Sequence, residues 1–197
     1  MGKKMVDNSL NAYWSATKIR RSSQILLEHI KGQSPEIQSD DDEYDVVPVH
    51  NYPKLILQTA DLINAQWPRS QMARVVTLQS SCDNLPCNLI VTKMKHKVVV
   101  GHLKITPIPS DRKSCFIESV VVAKCYRGQG IGSLLMERAE SYCRDKGIET
   151  IYLSTYDQQR FYSRLGYDIC EPINIFGNRS FVRNSTTKKT YMKKLLT

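Results

Sequence analysis

Long apolar runs are absent from this sequence. No segment of its 197 residues approaches the roughly 18 consecutive apolar residues that a membrane-spanning helix needs. The first ten residues contain two lysines but no apolar segment behind them, which argues against a secretory signal. Val6 stands where N-myristoylation of Gly2 would need Ser or Thr. We therefore expect no association with membranes.

Paired cysteines are also missing. The six cysteines are scattered, and no two of them form the CxxC spacing that indicates a metal site or a redox motif. Cys82 and Cys87 together with His96 and His102 form one conceivable zinc set, but reduced thiols are the more common use of such scattered cysteines. We therefore expect no metal and a cytoplasmic location.

Acidic residues are scarce outside the N-terminal quarter of the chain. Lys and Arg number 28 against 19 Asp and Glu, for a net charge of +9. Residues 1–49 contain 6 basic against 8 acidic side chains, so residues 50–197 contain 22 against 11 and carry +11. A region this basic attracts anions, but its charge alone does not choose between a nucleic acid, a phosphorylated cofactor and an acidic protein.

A basic nucleic-acid-binding module would explain the charge without any catalysis. Such a module needs aromatic side chains interleaved with the cations on an exposed face, and no recognised reader motif occurs in the sequence. We therefore do not expect a nucleic-acid partner.

The chain divides by composition into two parts. Residues 1–43 are predicted to be a flexible N-terminal extension, with an amphipathic helix between Leu10 and Ile30 followed by a polar, acidic linker. Residues 44–197 are predicted to form a single domain. Its predicted strands are 44–50, 87–94, 98–108, 114–123, 149–155, 167–170 and 188–197, and its predicted helices begin near residues 53, 69, 133 and 158. A hairpin followed by a strand–helix–strand unit indicates a layered α/β fold.

A glycine-rich loop, Arg127–Gly132, separates a predicted apolar strand from a predicted helix. Its glycines permit a tight turn and remove side chains, so that successive N–H groups can point at one ligand. The helix that follows adds the positive end of its dipole. The pattern is typical of a pyrophosphate site, although such a loop can also be a tight turn that only joins two elements.

Two common phosphate-binding loops do not fit this segment. A Walker loop ends in Gly-Lys followed by Ser or Thr, and none is present. The dinucleotide fingerprint GxGxxG would need a glycine at position 133, where Ser133 stands. The arrangement R-x-x-G-x-G, formed by Arg127, Gly130 and Gly132, instead resembles the pyrophosphate loop of the GNAT acetyltransferase superfamily.

This resemblance extends over residues 45–197, because ESVVVAKCYRGQGIGSLLM, IYLST and FYSRLGY follow one another in the family's order and spacing. It implies a GNAT fold, with a mixed, mostly antiparallel sheet flanked by helices and with splayed central strands that hold the pantetheine arm of acetyl-CoA. The resemblance implies acetyl-CoA as co-substrate, bound by Val120, Val121, Val122, Arg127, Gly128, Gln129, Gly130, Ile131, Gly132 and Ser133. Many family members also bind the cofactor with an Asn after the next strand, for which Gln158 is the nearest substitute here.

Acetyl transfer to an amine needs a proton donor for the departing thiolate and a base for the ammonium. In the family, the tyrosine of the FY-x-x-x-G motif lies near the cofactor sulfur, and Tyr162 matches it. The period of a strand predicts that Glu118 shares a face with Val120, which would let Glu118 deprotonate the amine through water. Alternatively, Glu118 faces solvent or pairs with a basic neighbour. Tyr156 and Asp157 are weaker candidates for the base.

The segments LINAQWPRSQMARVVTLQSSCDNLP and STYDQQRFYSRLGY resemble the branch of the family that acetylates the N-terminus of actin. Because processed actin begins with acidic residues, its enzyme needs cations, and guanidinium groups suit several carboxylates. The resemblance implies an actin N-terminus as substrate, bound by Trp67, Arg69, Arg74, Gln79, Ser80 and Ser81. Both arginines could equally lie on a solvated helix face.

Other readings remain open within the family. The acceptor could be a lysine or a different N-terminus, or the domain could bind the cofactor without catalysis. Vertebrate relatives carry proline-rich stretches that dock profilin, whereas residues 171–190 contain only Pro172. A profilin contact is therefore only weakly implied.

Overall fold

The computed structural model describes residues 44–93, 95–173, 175 and 189–196. The predicted extension over residues 1–43, with its helix and acidic linker, lies outside these described residues. Within them, no helix is long and apolar enough to cross a bilayer.

A mixed sheet of seven strands forms the centre of the domain, in the spatial order β1-β2-β3-β4-β5-β7-β6. The strands are β1 Asp45–Pro48, β2 Cys87–Lys93, β3 Val98–Ile108, β4 Asp111–Val122, β5 Thr150–Thr155, β6 Asp168–Cys170 and β7 Thr190–Leu195. Only the β4–β5 pair is parallel, and the other neighbours are antiparallel. The predicted mixed, mostly antiparallel sheet is confirmed.

The described part of the chain contains four α-helices: α1 Ile56–Gln66, α2 Gln71–Gln79, α3 Ile131–Asp145 and α4 Gln159–Arg164. A 3₁₀ turn over Pro53–Leu55 leads into α1, so the helical segment begins at the predicted proline. The Ser70 hydroxyl caps α2 by accepting from the Ala73 N–H at 3.5 Å. The helix α3 begins two residues earlier than predicted, directly after the left-handed Gly130.

Apolar side chains cover both faces of the sheet. The face that we call the α3 face packs against buried residues of α3 such as Leu135 and Met136, together with Tyr162 of α4. The opposite face, which we call the α1 face, packs against Ile63 of α1 and Leu78 of α2. Truncating a fully buried Leu or Ile of this kind to alanine typically costs about 2–5 kcal/mol of stability. The two helical layers therefore hold the sheet rigid beneath the loops at its edge.

The parallel strands β4 and β5 separate from each other along their length. Their pairing runs from Ser114 opposite Thr150 to Ile117 opposite Leu153. Beyond that point β4 continues to Val122 without β5, while β5 stays paired with β7. The end of β4 therefore offers main-chain N–H and C=O groups on its β5 side, which need other hydrogen-bond partners. The predicted splay of the central strands is confirmed.

A β-bulge in β4 changes which side chains share a face. His102 of β3 lies opposite Val121, but Lys104, two residues further along β3, lies opposite Glu118, so β4 contains one extra residue. Ser119 absorbs the irregularity with a φ of 57°. As a result, Val120 packs on the α3 face, and Glu118 does not share its face. The prediction from strand periodicity that Glu118 and Val120 lie on one face was wrong, because that period holds only for a regular strand.

Candidate functional site

The glycine loop forms an open cradle at the start of α3. Gly128 and Gly130 both have a φ of 79°, a left-handed conformation that favours glycine. A Cβ atom placed on either glycine would have no atom within 4 Å, so the space beside both is open. The unpaired N–H groups of the first turn of α3 begin at this point. Main-chain donors beside open space suit a diphosphate.

The third glycine of the loop has a packing role. A Cβ at Gly132 would lie 3.3 Å from Cζ of Phe161 and 4.0 Å from Cγ2 of Val122. The absence of a side chain therefore lets α4 approach the first turn of α3 and the end of β4. This close approach places Tyr162, the neighbour of Phe161, next to the splayed strands.

Two loop side chains that were predicted to contact the cofactor are bonded to the protein itself. Arg127 donates from Nε to the Val122 carbonyl oxygen at 2.9 Å and from Nη2 to Oε1 of Gln66 at 3.0 Å. Gln129 accepts from the Tyr44 hydroxyl at 2.9 Å. The main chain of the loop, rather than these side chains, therefore faces the open cradle.

The remaining predicted cofactor residues differ in which of their atoms a ligand can reach. Val120 and Val122 are half-buried on the α3 face, whereas Val121 is buried on the α1 face. Ile131 is buried, so only its main chain is available, while Ser133 is exposed in the first turn of α3. The exposed Gln158 precedes α4, and its N–H donates to Thr155 Oγ1 at 3.0 Å. The splayed end of β4 and the glycine cradle together fit an extended cofactor with a diphosphate.

Tyr162 lies on α4 and is 7% exposed. Its ring packs edge-to-face against Phe161 and Tyr167, at centroid distances of 5.0 and 6.0 Å. Burial and then the negative charge of Asp157 raise the pKa of Tyr162 to about 12. The hydroxyl group therefore stays protonated at neutral pH and can donate a proton. No residue in the described part of the chain binds this hydroxyl.

Glu118 is half-buried on the α1 face and has cationic and hydroxyl partners. Its Oε1 accepts from Nζ of Lys104 at 2.9 Å and from Oγ1 of Thr106 at 2.8 Å. Burial alone would raise the pKa of Glu118, but these two hydrogen bonds and the charge of Lys104 bring the pKa below its ordinary value. Glu118 is thus a carboxylate at neutral pH, and it forms an ion pair with Lys104.

His102 is a site residue that sequence reasoning had weighed only as a zinc ligand. It is 1% exposed, and burial is the main cause that lowers its pKa to about 4, so the ring is neutral. Its Nδ1 lies 3.1 Å from the Ser119 carbonyl oxygen, which can only accept, so this nitrogen carries the proton. Its Nε2 lies 3.0 Å from the side-chain oxygen Oδ1 of Asn88. The sequence signal for this role was a histidine inside the otherwise apolar strand β3. In the structure, the His102 ring stabilises the bulge in β4 through its hydrogen bond to the Ser119 carbonyl oxygen.

The predicted acceptor residues at the α1–α2 junction lie together. Arg74 donates from Nε to Oδ1 of Asn64 at 3.2 Å and from Nη2 to the Trp67 carbonyl oxygen at 2.9 Å. Burial and then the positive charge of Arg69 lower the pKa of Arg74, which indicates that the two guanidinium groups are close enough to repel. Trp67 is 43% exposed beside them. The junction therefore presents two cations and an indole ring to solvent.

The last three predicted acceptor residues lie after this junction, at the end of α2. Gln79 and Ser80 are exposed, and the Ser80 hydroxyl donates to the Thr77 carbonyl oxygen at 2.8 Å. Ser81 is buried, and its Oγ accepts from the Asn88 N–H and lies 2.9 Å from His50 Nδ1. The hydroxyl group of Ser81 is therefore bonded inside the protein, and its contact with substrate stays a prediction.

Within the described residues, no group of three or more His, Cys, Asp and Glu side chains is placed to hold a metal ion. The four residues of the conceivable zinc set, Cys82, Cys87, His96 and His102, do not form such a group. His102 binds Asn88 and Ser119, and His96 lies 2.8 Å from Thr92 Oγ1 through its Nδ1. The described cysteines are free thiols.

Comparisons with known proteins identify the family. The model of the acetyltransferase (GNAT) family matches residues 56–167, more than half of the chain. Mouse (Mus musculus) N-alpha-acetyltransferase 80 is 42% identical over 142 residues, which is 68% of this chain and 44% of that protein. The chain thus matches less than half the length of this relative.

Solved structures share the fold. An acetyltransferase of the GNAT family from Staphylococcus aureus Mu50 is 17% identical, with a TM-score of 0.58, over 79% of this chain and 100% of that one. An aminoglycoside 6'-N-acetyltransferase complexed with coenzyme A is 18% identical, with a TM-score of 0.63, over 78% of this chain and 97% of that one. The chain belongs to the acetyltransferase (GNAT) family, whose members take their acetyl group from acetyl-CoA.

Proposed function

We propose that the chain transfers the acetyl group of acetyl-CoA to the α-amine of a protein N-terminus, with a preference for acidic N-termini such as that of processed actin. The pair Arg69 and Arg74 beside Trp67 is the observation that carries this preference. The positive charge of Arg69 opposes that of Arg74, and a ligand rich in carboxylates relieves such repulsion. The relative named N-alpha-acetyltransferase 80 supports an N-terminal amine as the acceptor.

We assign the acceptor amine and the departing thiol of coenzyme A to opposite faces of β4. Acetyl-CoA supplies the acetyl group as a thioester, with the thiol as leaving group. Tyr162 belongs to the α3 face together with Val120 and Val122. It is the proton donor that we assign to the departing sulfur, since it is protonated at neutral pH.

Glu118 lies on the α1 face, the side of the sheet that α1 and α2 cover. The positive charge of Arg74 also acts on His102, which borders Glu118 on this face. The influence of both Arg74 and Glu118 on the pKa of His102 supports one peptide site for the two residues. We assign to Glu118 the orientation of the incoming amine and the removal of its proton through water.

Reversing one acceptor charge tests the preference. Arg74→Glu should lower kcat/KM for a peptide that begins Asp-Asp-Asp by roughly tenfold to a hundredfold, because hydrogen bonds between charged groups are lost and replaced by repulsion. Arg138→Glu is the matched control, since it makes the same charge change at an exposed position on α3. The measurement is the rate of acetylation for acidic, neutral and basic peptides. Comparable wild-type rates on acidic and basic peptides, or indifference to Arg74→Glu, would refute the preference.

The ionisation of Glu118 gives a second test. In the wild type, we expect the carboxyl carbon of Glu118 to titrate below the ordinary range for glutamate, because Lys104 and Thr106 bind the charged form. Lys104→Met removes the main source of this effect and leaves burial, which raises the pKa. The pKa of Glu118 should therefore rise in the variant relative to the wild type. Carbon-detected NMR between pH 2 and about 8 measures it.

Lys113→Met is the control for this titration. Lys113 pairs with Glu149 at 2.6 Å, and both side chains are largely exposed. Its loss should leave the Glu118 titration in place. A wild-type Glu118 that titrates at or above its ordinary value would contradict the stabilisation of its charged form by Lys104 and Thr106.

A further inference from the structure

The side chain of Arg127 joins two loops that come from distant parts of the sequence. One end of its guanidinium group is fixed to the end of β4 through the Val122 carbonyl oxygen, at 2.9 Å. The other end donates to Oε1 of Gln66, at 3.0 Å, across 61 positions of sequence. A guanidinium group is planar and presents its donors in fixed directions, so both hydrogen bonds define one geometry.

Gln66 is the last residue of α1, directly before the acceptor junction. The next residue, Trp67, offers its carbonyl oxygen to Arg74, which is held from its other side by Asn64. Hydrogen bonds therefore link the end of β4 through Arg127 to Gln66, and Trp67, the next residue along the chain, accepts a hydrogen bond from Arg74. The same Arg127 begins the glycine loop that forms the diphosphate cradle.

We propose that Arg127 is a positioning residue that joins the cofactor loop to the acceptor junction, so that binding of the coenzyme strengthens binding of the acceptor peptide. This inference rests on the proposed function of the two sites. A diphosphate held by the main chain of the loop restrains Arg127. The restrained guanidinium group then holds Gln66 and Trp67 in the position from which Arg74 meets a carboxylate. Coupling of this kind is reciprocal, so the peptide strengthens coenzyme binding by the same factor.

Gln66→Ala is the sharpest test, because it removes the acceptor of the hydrogen bond without altering the glycine loop. In the wild type, saturating coenzyme A should lower the Kd of an acidic peptide about fivefold, which is the size of effect expected for one ordinary hydrogen bond. In Gln66→Ala this gain should disappear, while the Kd of coenzyme A alone stays unchanged. Isothermal titration calorimetry measures all of these constants.

Gln71→Ala is the matched control. Gln71 is an exposed glutamine of the same helical pair, and its Nε2 donates to Oδ1 of Asp61 at 3.1 Å. It makes a side-chain hydrogen bond of the same type without contacting the cofactor loop. This variant should keep the fivefold gain. A full gain in Gln66→Ala, or an equal loss in Gln71→Ala, would overturn the proposal.

Arg127→Ala separates positioning from direct phosphate binding. If Arg127 positions the junction, this variant loses the gain in peptide affinity as Gln66→Ala does, and the double variant loses no more than either single one. If Arg127 instead binds a phosphate group directly, Arg127→Ala should weaken the binding of coenzyme A. In that case Gln66→Ala should keep the gain in peptide affinity, and this pair of results would refute the proposal.

A second readout does not depend on the acceptor. In hydrogen-exchange mass spectrometry, coenzyme A should slow exchange in residues 64–74 of the wild type but not of Gln66→Ala. If the wild type bound no N-terminal peptide but still differed from Gln66→Ala in this exchange, the proposed function would be refuted. The connection between the two loops would then be supported. No difference between the two proteins would overturn the link itself.

Discussion

Tyr162→Phe is expected to lower kcat by about a hundredfold, while the Kd of coenzyme A changes less than about twofold. The buried hydroxyl group is the donor assigned to the departing sulfur, and positioned general acids contribute about a hundredfold or more to such steps. Phenylalanine fills the same space between Phe161 and Tyr167, so the packing of α4 should survive. Steady-state kinetics with a saturating acidic peptide gives kcat, and calorimetry gives the affinity for coenzyme A.

Tyr167→Phe makes the same chemical change one ring away. Tyr167 is buried and touches Tyr162, but it is not assigned to the reaction. This control should keep kcat within about threefold of the wild type. If Tyr162→Phe kept the wild-type kcat, or if both variants lost activity equally, Tyr162 would not be the acid. Because the pKa of Tyr162 is about 12, its ionisation should produce no fall in kcat below pH 10.

Gly130→Ala is expected to weaken coenzyme A binding by about tenfold or more. A side chain at this position enters the open cradle where the diphosphate is assigned, and it strains a residue whose φ is 79°. A tenfold change corresponds to about 1.4 kcal/mol of binding free energy. Calorimetric titration with coenzyme A measures the change, and chemical unfolding measures the accompanying loss of stability.

Gly147→Ala controls for the strain alone. Gly147 follows the opposite end of α3, has a φ of 73°, and likewise has no atom within 4 Å of a Cβ position. Both variants should lose similar stability, about 1–2 kcal/mol, because alanine is strained at both positions. Only Gly130→Ala should lose affinity for coenzyme A. Equal affinities in the two variants would show that the loop does not hold the diphosphate.

The fold and the conformation of the glycine loop were predictable because their signals are local. Glycines at 128 and 130 with a helix after them define a turn and a helix N-terminus whatever else the chain does. The apolar character of β3, β4 and β5 likewise marked the centre of the sheet. These features depend on residues that are close in sequence.

The contacts that were not predicted join residues far apart in sequence. The bulge at Ser119 follows from the register between β3 and β4, which periodicity within one strand does not reveal. The bond from Arg127 to Gln66 requires α1 to end beside the loop, and the ring of His102 finds Ser119 only once the sheet has formed. The sequence contains these residues, but it does not reveal which distant residues they contact.

The most direct test of the account is tandem mass spectrometry on one peptide that begins Asp-Asp-Asp and contains an internal lysine, incubated with the protein and acetyl-CoA. We expect a single added acetyl group on the N-terminal α-amine and none on the lysine. A peptide that differs only in beginning Lys-Lys-Lys should remain largely unmodified. An unmodified acidic peptide, or an acetyl group on the lysine side chain, would contradict the account.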